Sequence, residues 1–202
     1  MNNGITAQKI LRYFLALAGL ALFAATLPVG ARAAIIEQFE TASNPFWTID
    51  EVRAGAFKQA IDDATGEGTG AMNLEVLGGR FQGGYENSIL DFFLTPRPHI
   101  GTTIAFGKTD EFYFGTTWDV KLPLDSTFFE ASFGGAAHDG PLHELHRASY
   151  GCEVNFRESA SLGFALTEEW RLMATLDHMS NAGLCGNNRG LTNAGVRLGI
   201  KF

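Results

Sequence analysis

The last ten residues, NAGVRLGIKF (193–202), decide the fold. Large apolar side chains alternate there with glycine or cationic residues: Val196, Leu198, Ile200 and Phe202 against Gly195, Arg197, Gly199 and Lys201. Successive side chains of a β-strand point to opposite faces, so this period of two predicts a strand with one apolar and one polar face. The run by itself fits either an edge strand of a soluble sheet or the closing strand of a membrane barrel.

Two longer runs before it, Cys152–Leu166 and Trp170–Ser180, show the same alternation. A three-residue turn at residues 167–169 would join them as a hairpin. This hairpin pairs Leu166 with Trp170, and it then places Glu158 directly opposite His178 on the apolar face. A shift of the register by two residues would keep the face and change the partner.

Five upstream segments also have the composition of strands: Ile49–Phe57, Ala71–Leu77, His99–Gly107, Glu111–Leu122 and Thr127–His138. Together with the three C-terminal runs they make eight strands, an even number that a closed membrane barrel allows. Asn87–Pro98 is predicted to be irregular, because Pro96 and Pro98 are incompatible with a central strand. The predicted fold class is therefore all-β, an eight-stranded antiparallel transmembrane β-barrel.

Residues 1–33 have the organisation of a secretory signal peptide. Lys9 and Arg12 precede an apolar run, residues 13–30, and Ala31-Arg32-Ala33 matches a cleavage site. A retained membrane anchor is the alternative, but Pro28 and the small residues after it favour cleavage. We expect a signal peptide over residues 1–33 and a single barrel domain over residues 34–202.

The charge balance excludes one class of partner. The whole chain has 15 Lys and Arg residues and 22 Asp and Glu residues. Removing residues 1–33 leaves 12 cations against 22 acids, a net charge of −10, which argues against binding to nucleic acid. No further segment is apolar and long enough for a membrane-spanning helix, so a membrane form must be a closed barrel. Its apolar face would then point outward to lipid.

The segment from His178 to Leu184 contains the side chains with chemical potential. His178 and Ser180 are two residues apart on a strand, so they project from the same face. A histidine beside a serine hydroxyl can act as the base that generates a nucleophile. The turn that follows, Asn181–Gly183, could direct backbone N–H groups at an oxyanion. An interfacial histidine followed by a turn serine is the plain structural alternative, but an ionisable group on a lipid-facing wall favours a functional site.

The run HMSNAGLCGNNRGL (178–191), followed by GVRLGIKF (195–202), resembles the signature of the PagL-type lipid A 3-O-deacylases. FFEASFGGAAHDG (128–140) and FRESASLGF (156–164) also resemble segments of that family. The resemblance implies an outer-membrane barrel that hydrolyses the 3-O-linked acyl chain of lipid A without a metal or other cofactor. It implies that His178 and Ser180 are catalytic and that Asn181, Ala182 and Gly183 form the oxyanion hole.

The sequence departs from the family at one position of the site. The family has a glutamate as catalytic acid two residues after the loop glycine, which is Gly190 here, and this chain has Thr192 instead. Threonine cannot offset the charge of a forming imidazolium as a carboxylate would. Glu158, opposite His178 in the predicted hairpin, is the substitute acid that the register suggests. An ion pair at the membrane boundary is the alternative role for Glu158.

Cys152 and Cys185 are the two cysteines of a chain predicted to be exported, so a disulfide between them is expected. The hairpin register places position 184 opposite Cys152, which brings Cys185 within reach; two free thiols are the alternative. His138, His143 and His146 belong to a predicted outer loop. Their spacing lacks the zincin pattern and favours a solvated loop over a metal site.

Three functions compete at this point. The first is a lipid A esterase of the outer membrane, acting on lipid A or lipopolysaccharide with Ser180, His178 and Glu158. The second is a catalytically inactive structural barrel of the same family, which Thr192 makes credible. The third is a soluble ligand-binding barrel in the periplasm. The sequence leaves the oligomeric state open, with a homodimer as one option.

Overall fold

The computed structural model describes residues 48–61, 68–81, 83, 86, 88–144 and 148–202, and the signal peptide predicted for residues 1–33 lies outside them. One short helix, α1, spans Ser88–Leu94. The eight strands, in chain order, are β1 Ile49–Lys58, β2 Gly70–Gly78, β3 Arg97–Ala105, β4 Glu111–Lys121, β5 Thr127–His138, β6 Val154–Ala165, β7 Trp170–Ser180 and β8 Leu191–Lys201.

The strands form a closed antiparallel barrel in which each strand pairs with its neighbours in sequence. The barrel closes where β8 pairs with β1, from Glu51 opposite Lys201 to Lys58 opposite Ala194. The predicted eight-stranded barrel is confirmed. The predicted hairpin register is also observed, because Glu158 lies opposite His178 and Phe164 opposite Leu172.

Two parts of the chain differ from the sequence prediction. Residues 88–94 of the segment predicted to be irregular form α1, and Pro98 lies inside β3. Proline is tolerated there because β2 pairs with β3 only from His99 onward, so no ladder hydrogen bond from residue 98 to β2 is lost. β8 also begins four residues earlier than the alternation at residues 195–202 indicates.

The two faces of the sheet have opposite chemistry. Large apolar side chains cover the outer wall, among them Phe112, Phe114, Leu162, Leu172, Val196 and Leu198. The inner face is polar and buried, with arginines, carboxylates and amides filling the lumen. This arrangement is the reverse of a soluble barrel, and it matches a barrel whose outside contacts lipid.

Charged side chains in the lumen are paired. The guanidinium of Arg53 contacts Glu51 at 2.8 Å, Glu75 at 2.9 Å and Glu130 at 2.6 Å, and all four side chains are at most 2% exposed. Arg157 pairs with Asp177 at 2.9 Å and also lies over the ring of Tyr113. Charges taken out of water must be paired in this way, because an unpaired buried ion is costly.

The two ends of the barrel carry different connections. At one end lie the β5–β6 connection, residues 139–153, and the β7–β8 connection, residues 181–190. At the other end lie the short turns 122–126 and 166–169, together with α1 and the C-terminal residue Phe202. The described residues include no helix long and apolar enough to cross a membrane.

Removing the cation at the centre of the lumen should destabilise the barrel strongly. Arg53→Met would leave Glu51, Glu75 and Glu130 buried together without their shared partner. We expect a loss of about 3–5 kcal/mol in the free energy of unfolding, the usual cost of breaking a buried ion pair from one side. The measurement is urea unfolding followed by heat-modifiable gel mobility. Lys121→Met, at an exposed strand end, is the control and should change little.

Candidate active site

His178 and Ser180 lie at the end of β7 that leads into the 181–190 connection. Both project from the outer face, because the lumen-facing residues between and before them, Met179 and Asp177, are fully buried inside the barrel. His178 is half-buried, and Ser180 is 8% exposed. The predicted histidine and serine therefore share one face of the wall, at the boundary between the apolar band and the loops.

His178 is flanked by polar side chains from both neighbouring strands. Glu158 of β6 lies opposite it on one side, and Thr192 of β8 lies opposite it on the other. The imidazole Nδ1 is 2.8 Å from the hydroxyl oxygen of Thr192. Glu158 is half-buried and interrupts the apolar row formed by Val154, Phe156 and Leu162. The position that the family fills with a glutamate thus contacts the histidine here through a hydroxyl.

Gly190 determines how close the chain approaches the other edge of the imidazole. A Cβ atom at this position would lie 2.8 Å from Cε1 and 3.1 Å from Nε2 of His178. Its φ of +70° is also a conformation that side-chain-bearing residues rarely adopt. Continuing the β7–β8 register by two residues places Gly190 opposite Ser180, so the Nε2 edge of the ring is turned toward the serine end of the strand.

The turn after Ser180 uses most of its hydrogen-bonding groups internally. The N–H of Asn181 donates to Oδ1 of Asn188 at 2.9 Å, and the N–H of Gly183 donates to Oδ1 of Asn181 at 2.7 Å. The amide Nδ2 of Asn181 donates to the carbonyls of Tyr150 and Asn187. Of the three predicted oxyanion donors, Ala182 alone keeps an N–H with no acceptor within the described residues, and it has a positive φ of 53°.

A disulfide joins the two connections above the site. The structure links Cys152 with Cys185, and their Cα atoms are 5.5 Å apart. Gly151 lies where these connections touch, since a Cβ atom there would collide with the carbonyl of Asn187 and with the side chain of Asn181. The disulfide and this close approach hold the 181–190 connection against β6.

An apolar groove of about 310 Å³ runs across the outer wall beside Ser180. Ser180 pairs with Phe156 of β6, and Phe156 pairs with Gly135 of β5, so the three residues form one row across three strands. Phe133 stacks on Phe156 with ring centroids 6.1 Å apart. The other lining residues are Gly134, Cys152, Val154, Asn155, Asn181 and Leu184.

Two features of the site were not predicted from the sequence. Thr192 was treated as the loss of an acid, whereas it is a hydrogen-bond partner of His178. The groove was missed because its parts come from distant segments, although the Gly134-Gly135 pair was visible inside the family segment 128–140. His138 donates to or accepts from the carbonyl of Cys152 and the amide of Asn155, a contact within the outer connections. His143 also lies in these connections, and His146 lies outside the described residues.

A closed eight-stranded barrel with an apolar outer wall and a polar lumen is an outer-membrane β-barrel protein. The family model described as lipid A 3-O-deacylase (PagL) matches residues 78–201. The chain belongs to that family, and its location is the bacterial outer membrane.

Solved structures agree on the fold. The crystal structure of the outer membrane enzyme PagL matches with a TM-score of 0.58 and 19% identity, over 75% of this chain and 99% of that one. Neisserial surface protein A has a TM-score of 0.46 at 9% identity, over 75% and 96% of the chains. The N-terminal barrel of Pseudomonas aeruginosa OprF has 0.45 at 14% identity, over 75% and 98%. Curated protein sequences gave no match. These matches do not support the homodimer.

Gly190 offers a test of the ring geometry that is independent of activity. Gly190→Ala adds a methyl group against the imidazole, whereas Gly186→Ala has the same positive φ and no neighbour within 4 Å. We expect about 1–2 kcal/mol of destabilisation in both variants from the backbone strain. The Gly190 variant should lose about 1–3 kcal/mol more from overpacking. Urea unfolding measures this difference, and equal stabilities would contradict the close approach to His178.

Proposed function

We propose that this chain is an outer-membrane esterase that hydrolyses the 3-O-linked acyl chain of lipid A. Ser180 is the nucleophile, His178 is the general base and Glu158 is the acid that supports the histidine. The observation that carries the proposal is a His/Ser pair on the outer, apolar wall of a barrel of the lipid A deacylase family. A polar pair in that place meets its substrate within the membrane.

The site lies at the end of the barrel that we assign to the outside of the cell. Outer-membrane barrels have short turns on the periplasmic side and longer loops on the outer side. Here the short turns 122–126 and 166–169 lie at the end opposite to Ser180. Ser180 is therefore at the level of the outer leaflet, where the glycolipid headgroup meets its acyl chains.

The reaction follows the usual order of a serine esterase. His178 takes the proton of the Ser180 hydroxyl at Nε2, and the serine oxygen attacks the carbonyl carbon of the acyl ester. The tetrahedral intermediate then collapses, and its sugar oxygen leaves with the proton from His178. Water, deprotonated in turn by His178, hydrolyses the acyl-serine and releases the fatty acid.

The oxyanion needs N–H donors close to Ser180. The N–H of Ala182 is the donor that has no acceptor within the described residues, so it is the first candidate. The N–H groups of Asn181 and Gly183 accept this role only if the side-chain oxygens of Asn188 and Asn181 move away from them. We propose that the three residues Asn181, Ala182 and Gly183 form the hole through such a rearrangement when the ester binds.

The apolar groove provides a place for the acyl chain. It begins beside Ser180 and crosses Phe156 to Gly135, so a chain in it would extend over two strands, about 10 Å at the usual strand spacing. Its walls are aromatic and aliphatic, as an acyl chain requires. The substrate would thus place its ester at Ser180 and the released chain over β6 and β5.

The second candidate is a catalytically inactive barrel with a structural role. Thr192 favours it, because the carboxylate that the family has beside the histidine is missing at that position. The two candidates share the barrel and the membrane, and they differ only in turnover.

Release of a single 3-linked hydroxyacyl chain distinguishes these candidates. The refolded protein is incubated with lipid A in detergent, and mass spectrometry follows the products. We expect release by the wild type, a loss of about 10³-fold or more in Ser180→Ala and a large loss in Glu158→Gln. Ser161→Ala in the lumen and Glu169→Gln in the β6–β7 turn are the matched controls. A folded wild type that releases nothing supports the inactive barrel, and full activity of Glu158→Gln removes Glu158 from the mechanism.

Filling the groove should impair long acyl chains selectively. A Cβ atom at Gly135 meets only Phe114 Cζ at 3.5 Å and the Asn155 carbonyl at 3.6 Å, so Gly135→Leu can be accommodated. We expect kcat/KM for lipid A to fall about tenfold or more, while hydrolysis of a short acetyl ester stays near the wild-type rate. Ala131→Leu adds the same kind of bulk to the outer wall away from the groove. Equal effects on both substrates would argue against this groove as the acyl site.

A further inference from the structure

The hydrogen bond between His178 and Thr192 replaces the contact that an acidic residue would make. It joins Nδ1 of the ring to the hydroxyl oxygen at 2.8 Å and crosses from β7 to the facing residue of β8. Nδ1 is the nitrogen that must carry the proton if Nε2 is to act as a base. Whatever holds Nδ1 therefore controls whether His178 can accept the proton of Ser180.

Thr192 is well suited to hold a ring in place. Its β-branched side chain has few χ1 rotamers. Its backbone is fixed from the neighbouring side, since its carbonyl accepts a hydrogen bond from the N–H of Ile61 at 3.0 Å. The next residue, Asn193, is buried and bonded to Asp177 in the lumen at 2.8 Å. The hydroxyl at position 192 is thus attached to a rigid part of the wall.

A hydroxyl does only part of what a carboxylate does. It has lone pairs that accept the Nδ1–H, so it can orient the ring and favour the productive tautomer. It carries no charge, so it cannot stabilise the imidazolium that forms during the reaction. The charged group nearest along the strand pairing is Glu158, which faces His178 from β6.

We propose that the work of the family's single acid is divided here between two strands. Thr192 is a positioning residue that holds His178 at Nδ1, while Glu158 supplies the negative charge from the opposite side. Gly190 completes the arrangement, because it lets the Nε2 edge lie close to the chain on the Ser180 side. This inference rests on the proposed function for its kinetic part, whereas the orientation of the ring does not depend on turnover.

The first experiment observes the ring itself. ¹H–¹⁵N correlation spectra of the barrel in detergent, with His178→Asn for assignment, report which ring nitrogen carries the proton. We expect Nδ1–H in the wild type and in Thr192→Ser, and a shift toward Nε2–H in Thr192→Val. Thr116→Val, on the outer face of β4, is the matched control and should leave the His178 signals unchanged. Identical His178 signals in the wild type and Thr192→Val would overturn the positioning role, even if the enzyme is active.

The second experiment separates orientation from charge by kinetics. For lipid A hydrolysis, Thr192→Val should lower kcat about 10–100-fold with little change in KM, and Thr192→Ser should restore kcat to within about threefold of the wild type. Glu158→Gln combined with Thr192→Glu should recover at least tenfold of the activity that Glu158→Gln loses. Failure of that recovery, or a similar loss in Thr116→Val, would overturn the division of roles.

The two proposals fail in different ways. A wild type without turnover, whose ring responds to Thr192→Val, contradicts the proposed function and supports the positioning role. A wild type with turnover, whose ring and kcat ignore Thr192→Val, supports the esterase and contradicts the positioning role. A large gain of activity in Thr192→Glu alone would show that Glu158 supplies no charge, and it would therefore overturn its share of the proposal.

Discussion

Closure of the sheet between β1 and β8 is the constraint on which the rest of the structure depends. Hydrocarbon offers no hydrogen bonds, so the backbone groups of a membrane strand must be satisfied by its neighbours, and an open edge is excluded. The eight residue pairs from Glu51–Lys201 to Lys58–Ala194 remove that edge. Once the sheet closes with eight strands, the lumen is so narrow that side chains fill it.

This filling explains the distribution of charge. Arg53 contacts three carboxylates in the lumen, and Arg157 pairs with Asp177 directly behind the strand that carries the site. Asp177 and His178 are adjacent in sequence and lie on opposite faces, one inside the ion network and the other on the outer wall. The packed interior thus gives β7 a fixed position, and a reactive side chain on its outside inherits that rigidity.

The site itself is built by pairing across strands. His178 receives Glu158 from β6 and Thr192 from β8, while Ser180, Phe156 and Gly135 form the next row. The disulfide between Cys152 and Cys185 then fixes the connection that follows Ser180. A lipid-facing wall with this construction can carry both a polar pair and an apolar groove within two rows of residues.

The sequence by itself determined the eight strands, the polarity of their faces and the hairpin that places Glu158 opposite His178, because side-chain alternation and a short turn act locally. It also pointed to His178 and Ser180, which are two residues apart on one strand. It could not place Pro98 inside β3, form α1, show the groove or reveal the bond from Thr192 to His178. Those features depend on which strands become neighbours and on where each ladder ends. Only closure of the barrel brings Gly135, Phe156 and Ser180 into one row and turns Thr192 toward the imidazole.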